Sequence, residues 1–199
     1  MELFKYPDRS EWPQLLRRPV IDSLSLEKKV RKILEDVKKK GDKSVRKYSG
    51  EFDGVKLRKL LVSGKEIKEA ESLLPAELKA AINTAKNNIE KFHSGQLLNE
   101  EMVETMPGVK CWRKTVAIDK VGLYIPGGTA PLFSTILMLG VPAKLAGCRE
   151  IILCSPPAKD GSLNPAIIYT ASLVGVTKIF KVGGVQAIAA MAFGTETIP

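Results

Sequence analysis

Two glycine pairs that follow apolar runs are the residues of this sequence best suited to binding a ligand. The first pair lies in V-G-L-Y-I-P-G-G-T-A-P (121–131), and the second, Gly183–Gly184, follows the apolar run 176–182. An apolar run that stops at glycines is typical of a buried parallel strand that ends at a functional turn. Because glycine has no Cβ, a ligand can approach the backbone closely at Gly127 and Gly128. Each turn precedes a predicted helix, whose first N–H groups suit a phosphate or a carboxylate.

The elements that would position these turns are three strand–helix units in the second half of the sequence. Strands are predicted at 116–125, 151–154 and 176–182, and helices at 134–146, 165–174 and 185–193. Repeated units of this kind predict a parallel sheet with helices on its faces, and ligands bind such sheets at the carboxyl ends of the strands. If the two strands that end in Gly-Gly are neighbours, both turns open onto one crevice. That crevice would suit a dinucleotide, although neither G-x-G-x-x-G nor G-x-x-x-x-G-K-[ST] is present.

The same glycines have a simpler interpretation, in which tight turns require them and no ligand binds. Glycine is the default residue wherever a chain must turn sharply or adopt positive φ. The glycine pattern by itself therefore leaves both interpretations open.

The first half of the sequence predicts helices and little strand. Helices are predicted at about 26–40, 42–48, 63–73 and 75–92, with a loop at Phe52–Asp53–Gly54 and a short strand near 60–62. Ser63 and Glu66 form an S-x-x-E capping box, which marks the start of the third helix. The fold class is therefore α/β. We predict a helical segment over residues 1–114, part of a first α/β domain, and a Rossmann-like domain over residues 115–199.

Composition narrows the class of protein. With 44% hydrophobic residues, no apolar run of about 18 residues and no signal-like N-terminus, the sequence favours a cytoplasmic globular protein without membrane spans. Three widely spaced cysteines and the lone His93 argue against a self-contained catalytic zinc site. The net charge of +9 could indicate nucleic-acid binding. Lysines alternate with glutamates on predicted helical faces, however, which favours a solvated surface and no nucleic-acid partner.

Four blocks of the sequence resemble the histidinol dehydrogenase family and occur in the family's order. They are G-D-K-S-V-R-K-Y-S-G-E-F-D-G, N-N-I-E-K-F-H-S-G-Q, V-G-L-Y-I-P-G-G-T-A-P-L-F-S-T-I-L-M-L-G-V-P-A-K-L-A-G and G-V-T-K-I-F-K-V-G-G-V-Q-A-I-A-A-M-A-F-G-T-E-T-I-P. The resemblance implies an NAD-dependent enzyme of histidine biosynthesis. Such enzymes oxidise L-histidinol through L-histidinal to L-histidine, use a bound zinc ion and form homodimers with interlocked subunits.

The resemblance places cofactor-binding residues on this sequence but no catalytic or metal-binding residues. Tyr124 matches the family tyrosine that contacts NAD, and Gln186 matches the corresponding glutamine. Phe52, Pro126 and the Gly127–Gly128 turn would lie against the nucleotide. Tyrosine offers a flat face and a hydroxyl, whereas glutamine offers both a donor and an acceptor. The alternative for Gln186 is a side chain that faces water at the start of a helix.

Family members are about twice as long as this sequence, so the resemblance covers only their N-terminal portion. The family's G-P-G-N turn, its catalytic Glu-His pair and its zinc ligands (Gln, His, Asp and His) would follow residue 199, and His93 matches none of them. We therefore expect an incomplete Rossmann-like domain in a chain that is inactive by itself. The alternative is a non-catalytic paralogue that keeps the dinucleotide fold for binding or regulation.

Overall fold

A three-stranded parallel sheet with helices on both faces forms the centre of the structure, a computed structural model that describes residues 3–18, 24–97, 101–128 and 131–199. The helices are α1 (Trp12–Leu15), α2 (Leu24–Lys40), α3 (Asp42–Tyr48), α4 (Gly64–Leu73), α5 (Ala76–Ser94), α6 (Phe133–Leu145), α7 (Pro165–Leu173) and α8 (Gly184–Phe193), and a π-helical turn covers Ser49–Asp53. The strands are β1 (Val103–Met106), β2 (Val109–Cys111), β3 (Lys120–Tyr124), β4 (Glu150–Ser155) and β5 (Lys178–Lys181). Among the described residues, no helix is both long and apolar enough to cross a membrane.

The parallel sheet has the order β3-β4-β5, which confirms the α/β class. Its register sets Val121 opposite Ile151 and Leu153 opposite Ile179. Strands β1 and β2 form a separate antiparallel hairpin. The two strands that end in Gly-Gly are therefore not neighbours, because β4 runs between them. The condition on which a crevice shared by the two Gly-Gly turns was predicted is therefore not met.

Alternating side chains of each strand belong to two separate cores. Ile151 and Leu153 of β4 lie in the core that holds α4, α5, α6 and α7. Ile152 and Cys154 of the same strand lie in the core that holds α2, α3 and α8. A parallel strand that is apolar on both faces needs a helical layer on each side. Here the predicted N-terminal segment supplies helices to both layers, and the division of the chain at residue 114 remains a prediction.

Residues 60–62 lie along β5 and cover one edge of the sheet. The Val62 N–H donates to the Ile179 carbonyl at 2.8 Å, and the Lys181 N–H donates to the Leu60 carbonyl at 2.7 Å. The short strand predicted here is thus an antiparallel bridge rather than a full strand. Residues before Leu60 continue past the carboxyl end of β5, which brings the chain towards the edge where a ligand would bind.

One local prediction is confirmed, and two differ from the structure. The Ser63–Glu66 capping box at the start of α4 is confirmed. The predicted loop at residues 52–54 is mostly a π-helical turn that ends at Gly54, whose φ is 70°. Strand β3 begins at Lys120 rather than at 116.

Asp42 ties the last described residues to the start of α3. The Thr195 hydroxyl donates to Asp42 Oδ1 at 2.7 Å, and the Thr197 hydroxyl donates to Oδ2. In return, the Asp42 N–H donates to Glu196 Oε2 at 2.8 Å. Ile198 is fully buried in the core of α2, α3 and α8. Residues 195–199 therefore complete that helical layer.

We expect Asp42→Ala to lower the free energy of unfolding by about 2–4 kcal/mol, because two threonine hydroxyls lose a charged acceptor in a half-buried place. Chemical denaturation followed by circular dichroism measures this loss. The matched control is Asp160→Ala, because Asp160 accepts hydrogen bonds from Ser162 in an exposed loop. This substitution is expected to lower the free energy of unfolding by less than about 1 kcal/mol. Equal losses in the two variants would contradict a special role for Asp42.

The contribution of Asp42 is also expected to depend on pH. Burial by itself would raise the pKa of Asp42, but hydrogen bonds from Thr197 and Thr195, with the charge of Arg46, lower it on balance. A carboxyl whose pKa is lower in the folded state stabilises that state above the unfolded value, and the contribution is lost as the pH falls through the folded value. The stability difference between wild type and Asp42→Ala should therefore shrink in acid.

Candidate functional site

The carboxyl ends of the three parallel strands meet around the ring of Pro156. Pro156 follows β4 and lies between Gly127, which follows β3, and Gly183, which follows β5. A Cβ at Gly127 would lie 2.6 Å from Pro156 Cγ, and one at Gly183 would lie 2.4 Å from Pro156 Cβ. Both contacts are closer than real Cβ atoms approach their neighbours. Packing against Pro156 therefore explains why both positions are glycine.

The second glycine of each pair has different surroundings. A Cβ at Gly128 would meet no heavy atom of the described chain within 4 Å, so packing does not require glycine there. Gly184 has a φ of +62°, which side-chain-bearing residues rarely adopt, and a Cβ there would lie 2.8 Å from Gln186 Oε1. Gly128 thus presents open backbone, whereas Gly184 adopts a left-handed conformation at the turn into α8 that glycine allows.

A cleft of about 500 Å³ opens at this edge of the sheet on the side of α7. Its walls come from the three segments that follow β3, follow β4 and begin α7: Pro126, Gly127, Gly128, Pro131, Ser155, Pro156, Pro157, Ala158, Ser162, Leu163, Asn164, Pro165 and Ile167. Three of the predicted cofactor-binding residues, Pro126, Gly127 and Gly128, therefore share one cleft. Tyr124 and Gln186 are not part of its lining.

Tyr124 and Gln186 meet instead at Gly184, on the side of α8. The Tyr124 hydroxyl accepts a hydrogen bond from the Gly184 N–H at 2.9 Å, so its side chain reaches from the end of β3 to the start of α8. The Gln186 amide lies against the same glycine. The structure thus places both predicted residues on one side of the sheet, beside the N-terminal end of α8, where the helix dipole favours a negative or polar group.

Gln186 is fully buried, and neither polar atom of its amide has a hydrogen-bond partner among the described residues. The alternative in which this side chain faces water is therefore wrong. A buried polar group without a partner costs about 1–3 kcal/mol, so an apolar side chain of the same shape would stabilise this position better. The amide is thus poorly explained by folding alone.

Phe52 reaches the same end of the sheet from the π-helical turn. Its ring stacks on Tyr48 with centroids 5.7 Å apart and planes 11° apart, and Phe52 as a whole residue is 55% exposed. Beyond the turn, Leu57 packs against Gly161 in the loop after β4, where a Cβ would lie 2.8 Å from Leu57 Cδ2. The Arg46 guanidinium also donates to the Leu57 carbonyl at 2.9 Å. The turn is therefore fixed near the carboxyl ends of the strands.

The packing of the partly buried side chains assigns Phe52 to the α8 side. Leu57, Tyr124 and Val185 all contact the core of α2, α3 and α8, and Tyr48 is a member of that core. Phe52, Tyr124 and Gln186 are thus brought to one side of the sheet, while Pro126, Gly127 and Gly128 border the α7 side. The ring of Pro156 lies between the two Gly-Gly turns.

Asp53 and Pro156 are residues of this region that the sequence did not single out. Burial raises the pKa of the Asp53 carboxyl, and its Oδ2 has no hydrogen-bond partner among the described residues. The E-F-D-G block that drew attention to Phe52 also contains Asp53, so that signal was available. Pro156 follows its strand at the level of the Gly-Gly turns, but only the order of the strands reveals that it separates them.

Metal-binding residues do not assemble in the described part of the chain. No group of three or more His, Cys, Asp or Glu side chains there could hold a metal ion. His93 is paired through Nδ1 with Gln96 Oε1 at 2.6 Å. Cys111 is exposed, while Cys148 and Cys154 are buried. Burial raises the pKa of the Cys154 thiol to about 12, which disfavours the thiolate form that binds metals.

Comparison with known proteins identifies one family. The family model described as "Histidinol dehydrogenase" matches residues 16–199. The histidinol dehydrogenases of Bacteroides fragilis and Bacteroides thetaiotaomicron are each 59% identical over 199 residues, which is 100% of this chain and 46% of theirs. That of Mannheimia succiniciproducens is 51% identical over 197 residues, 98% of this chain and 45% of its own. The chain thus spans about half the length of these curated relatives.

The fold agrees with a solved structure of the same kind. A crystal structure of histidinol dehydrogenase from Elizabethkingia anophelis matches with a TM-score of 0.90 and 51% sequence identity. The match covers 97% of this chain and 45% of that one. The parallel sheet and its two helical layers are therefore an arrangement that this relative shares.

Substituting the glycines tests the packing around Pro156. We expect Gly183→Ala to lower the free energy of unfolding by about 1–3 kcal/mol, because the added methyl group would overlap both the ring and the backbone of Pro156. Gly128→Ala, the matched control, adds the same methyl group into open space and should change stability by less than about 0.5 kcal/mol. Thermal and urea denaturation measure both. A Gly183→Ala variant as stable as wild type would contradict the close contact.

Proposed function

Because the chain belongs to the histidinol dehydrogenase family, we propose that it forms the N-terminal, NAD-binding portion of an enzyme that oxidises L-histidinol through L-histidinal to L-histidine in histidine biosynthesis. The observation that carries this proposal is the Gln186 amide, which is fully buried without a partner among the described residues. It lies at the start of α8, beside the Gly184 N–H that the Tyr124 hydroxyl contacts. These groups are polar, close together and at the end of a parallel sheet where ligands bind.

The residues present fit a nicotinamide dinucleotide. Gln186 can donate to and accept from a ribose or an amide, and Tyr124 adds a hydroxyl and an aromatic face. The exposed Phe52 ring suits a base, while Pro126, Gly127 and Gly128 line a cleft of about 500 Å³, and the backbone of Gly128 is open to a ligand. When bound, NAD supplies the hydride acceptor for the family's two oxidation steps. The chain's own part is to bind and orient this cofactor.

The residues present do not fit the zinc ion and the proton-accepting pair of the family reaction. The sequence holds one histidine, and the described residues form no metal-binding group. We therefore derive no metal-assisted step from this chain and propose that it does not turn over histidinol by itself. In the complete enzyme, we propose a cytoplasmic homodimer in which the family's remaining motifs supply those groups.

The substitution Gln186→Met tests whether the buried amide contributes to ligand binding or to the stability of the fold. Methionine matches the shape of glutamine but removes both unpartnered polar atoms, so we expect the free energy of unfolding to rise by about 1–2 kcal/mol. The same change should weaken NAD binding by about tenfold or more, because the buried amide can no longer pair with the cofactor. Calorimetric titration with NAD and chemical denaturation measure the two effects.

The control for this experiment is Gln96→Met. Gln96 is exposed and its amide contacts His93 of α5, whereas Gln186 belongs to α8. It should change neither NAD binding nor stability appreciably. A Gln186→Met variant that gains stability and keeps its full affinity for NAD would refute the cofactor role of the amide.

The purified 199-residue chain should show no turnover when mixed with NAD, zinc and histidinol, because it lacks the family's catalytic and zinc-binding motifs. Removing groups that position and deprotonate a substrate forfeits many powers of ten in rate. The absorbance of NADH reports turnover directly. Activity that persists unchanged in Tyr124→Ala would indicate a contaminating enzyme. Activity that this substitution abolishes would show that the chain is catalytic and overturn the expectation.

A further inference from the structure

We propose that Tyr48 and Asp36 are positioning residues, which fix the plane of the Phe52 ring so that it can stack on the base of a nucleotide. This inference rests on the proposed function, because it concerns how one wall of the NAD site is held in place. Neither residue contacts the ligand in this proposal. Both act only through the ring of Phe52.

Phe52 occupies a position that folding alone does not favour. More than half of the residue's surface is exposed, although Phe52 is a large apolar residue on the last turn before Gly54. The turn that carries it is π-helical, a rare geometry that occurs frequently at functional sites. One face of the ring is covered by Tyr48, to which it is nearly parallel at 11°. Since Phe52 is exposed, a flat group can approach its other side.

Tyr48 holds the Phe52 ring in a fixed position from one side. Its side chain is buried in the core of α2, α3 and α8, and its hydroxyl donates to Asp36 Oδ2 at 2.6 Å. A hydrogen bond to an ionised carboxylate is short and strong. Asp36 is held in turn by Lys40, whose Nζ lies 3.5 Å from Oδ1. The hydrogen bond to Asp36 is also the main reason that the pKa of Tyr48 rises to about 12, so the tyrosine stays protonated as the donor.

A base is the ligand group that this arrangement fits. Flat apolar rings stack on aromatic side chains through their faces, and any nucleobase offers such a face. An exposed phenylalanine normally loses rotational freedom when it stacks, which reduces affinity. Here the Phe52 ring has already lost this rotational freedom in the free protein, because the Tyr48 ring and its hydrogen bond to Asp36 restrict it before a ligand binds. Breaking that hydrogen bond should leave the core intact but weaken the binding of a base.

The test uses Tyr48→Phe, which removes only the hydroxyl and keeps the stacked ring. Etheno-AMP serves as the probe, because its emission changes when its base stacks, and unlabelled AMP and NAD compete with it. We expect Tyr48→Phe to weaken the binding of etheno-AMP, AMP and NAD by about three- to tenfold. Asp36→Ala should give the same loss. Asp36→Asn keeps an acceptor for the tyrosine and should recover most of the affinity.

A double-variant cycle distinguishes positioning from a general loss of stability. In a Phe52→Leu background, which has no ring to position, Tyr48→Phe should cause no further loss of affinity. The matched control is Tyr169→Phe on α7, where the removed hydroxyl accepts from Asn83 Nδ2 at 3.2 Å in the opposite helical layer. This variant should bind like wild type. Melting temperatures establish that each variant is folded.

Each outcome decides between the two proposals. Three results would overturn the positioning role and leave the proposal of NAD binding intact. They are wild-type affinity for the nucleotides in Tyr48→Phe, an unchanged loss of affinity on adding Tyr48→Phe to the Phe52→Leu background, and an equal loss of affinity in Tyr169→Phe. A wild-type protein that binds neither NAD nor AMP would overturn the proposed function and this inference together.

Discussion

The contact of the Pro156 ring with Gly127 and Gly183 sets the shape of the carboxyl edge of the parallel sheet. Three parallel strands end side by side, and the residue after the central strand fills the space between the two outer turns. A side chain at either glycine would push that ring away and separate the strand ends. The edge is consequently divided into an α7 side, which holds the cleft, and an α8 side, which holds Tyr124 and Gln186.

The polar groups near this edge fall into two kinds, those that stabilise the fold and those that do not. Lys181, at the end of β5, is buried but pairs with Glu66 at 2.9 Å, and Glu66 also caps α4 through Ser63. One carboxylate thus accepts hydrogen bonds from the buried Lys181 ammonium group and from both the N–H and the hydroxyl of Ser63. The amide of Gln186 has no such compensation in the described residues. A ligand site is the physical setting in which an uncompensated group is useful, because binding supplies the partner.

The N-terminal half of the chain is as important to this edge as the sheet itself. Its helices form part of both layers, and residues 60–62 close one side of the sheet by pairing with β5. The π-helical turn then brings Phe52 to the ends of strands that come more than sixty residues later in the chain. Hydrogen bonds from Thr195 and Thr197 to Asp42 join the last described residues to the layer of α2, α3 and α8.

Local patterns in the sequence determined the strand–helix order, the capping box at Ser63 and the glycine turns, because periodicity, caps and turn residues depend on neighbours within a few positions. The resemblance to a family indicated Tyr124, Gln186 and Phe52. Only the tertiary structure decided that β4 separates the two Gly-Gly strands, that Gln186 is buried and that Phe52 is carried on a π-helical turn against Tyr48. Each of these depends on which distant elements pack together, and a linear pattern does not specify those contacts.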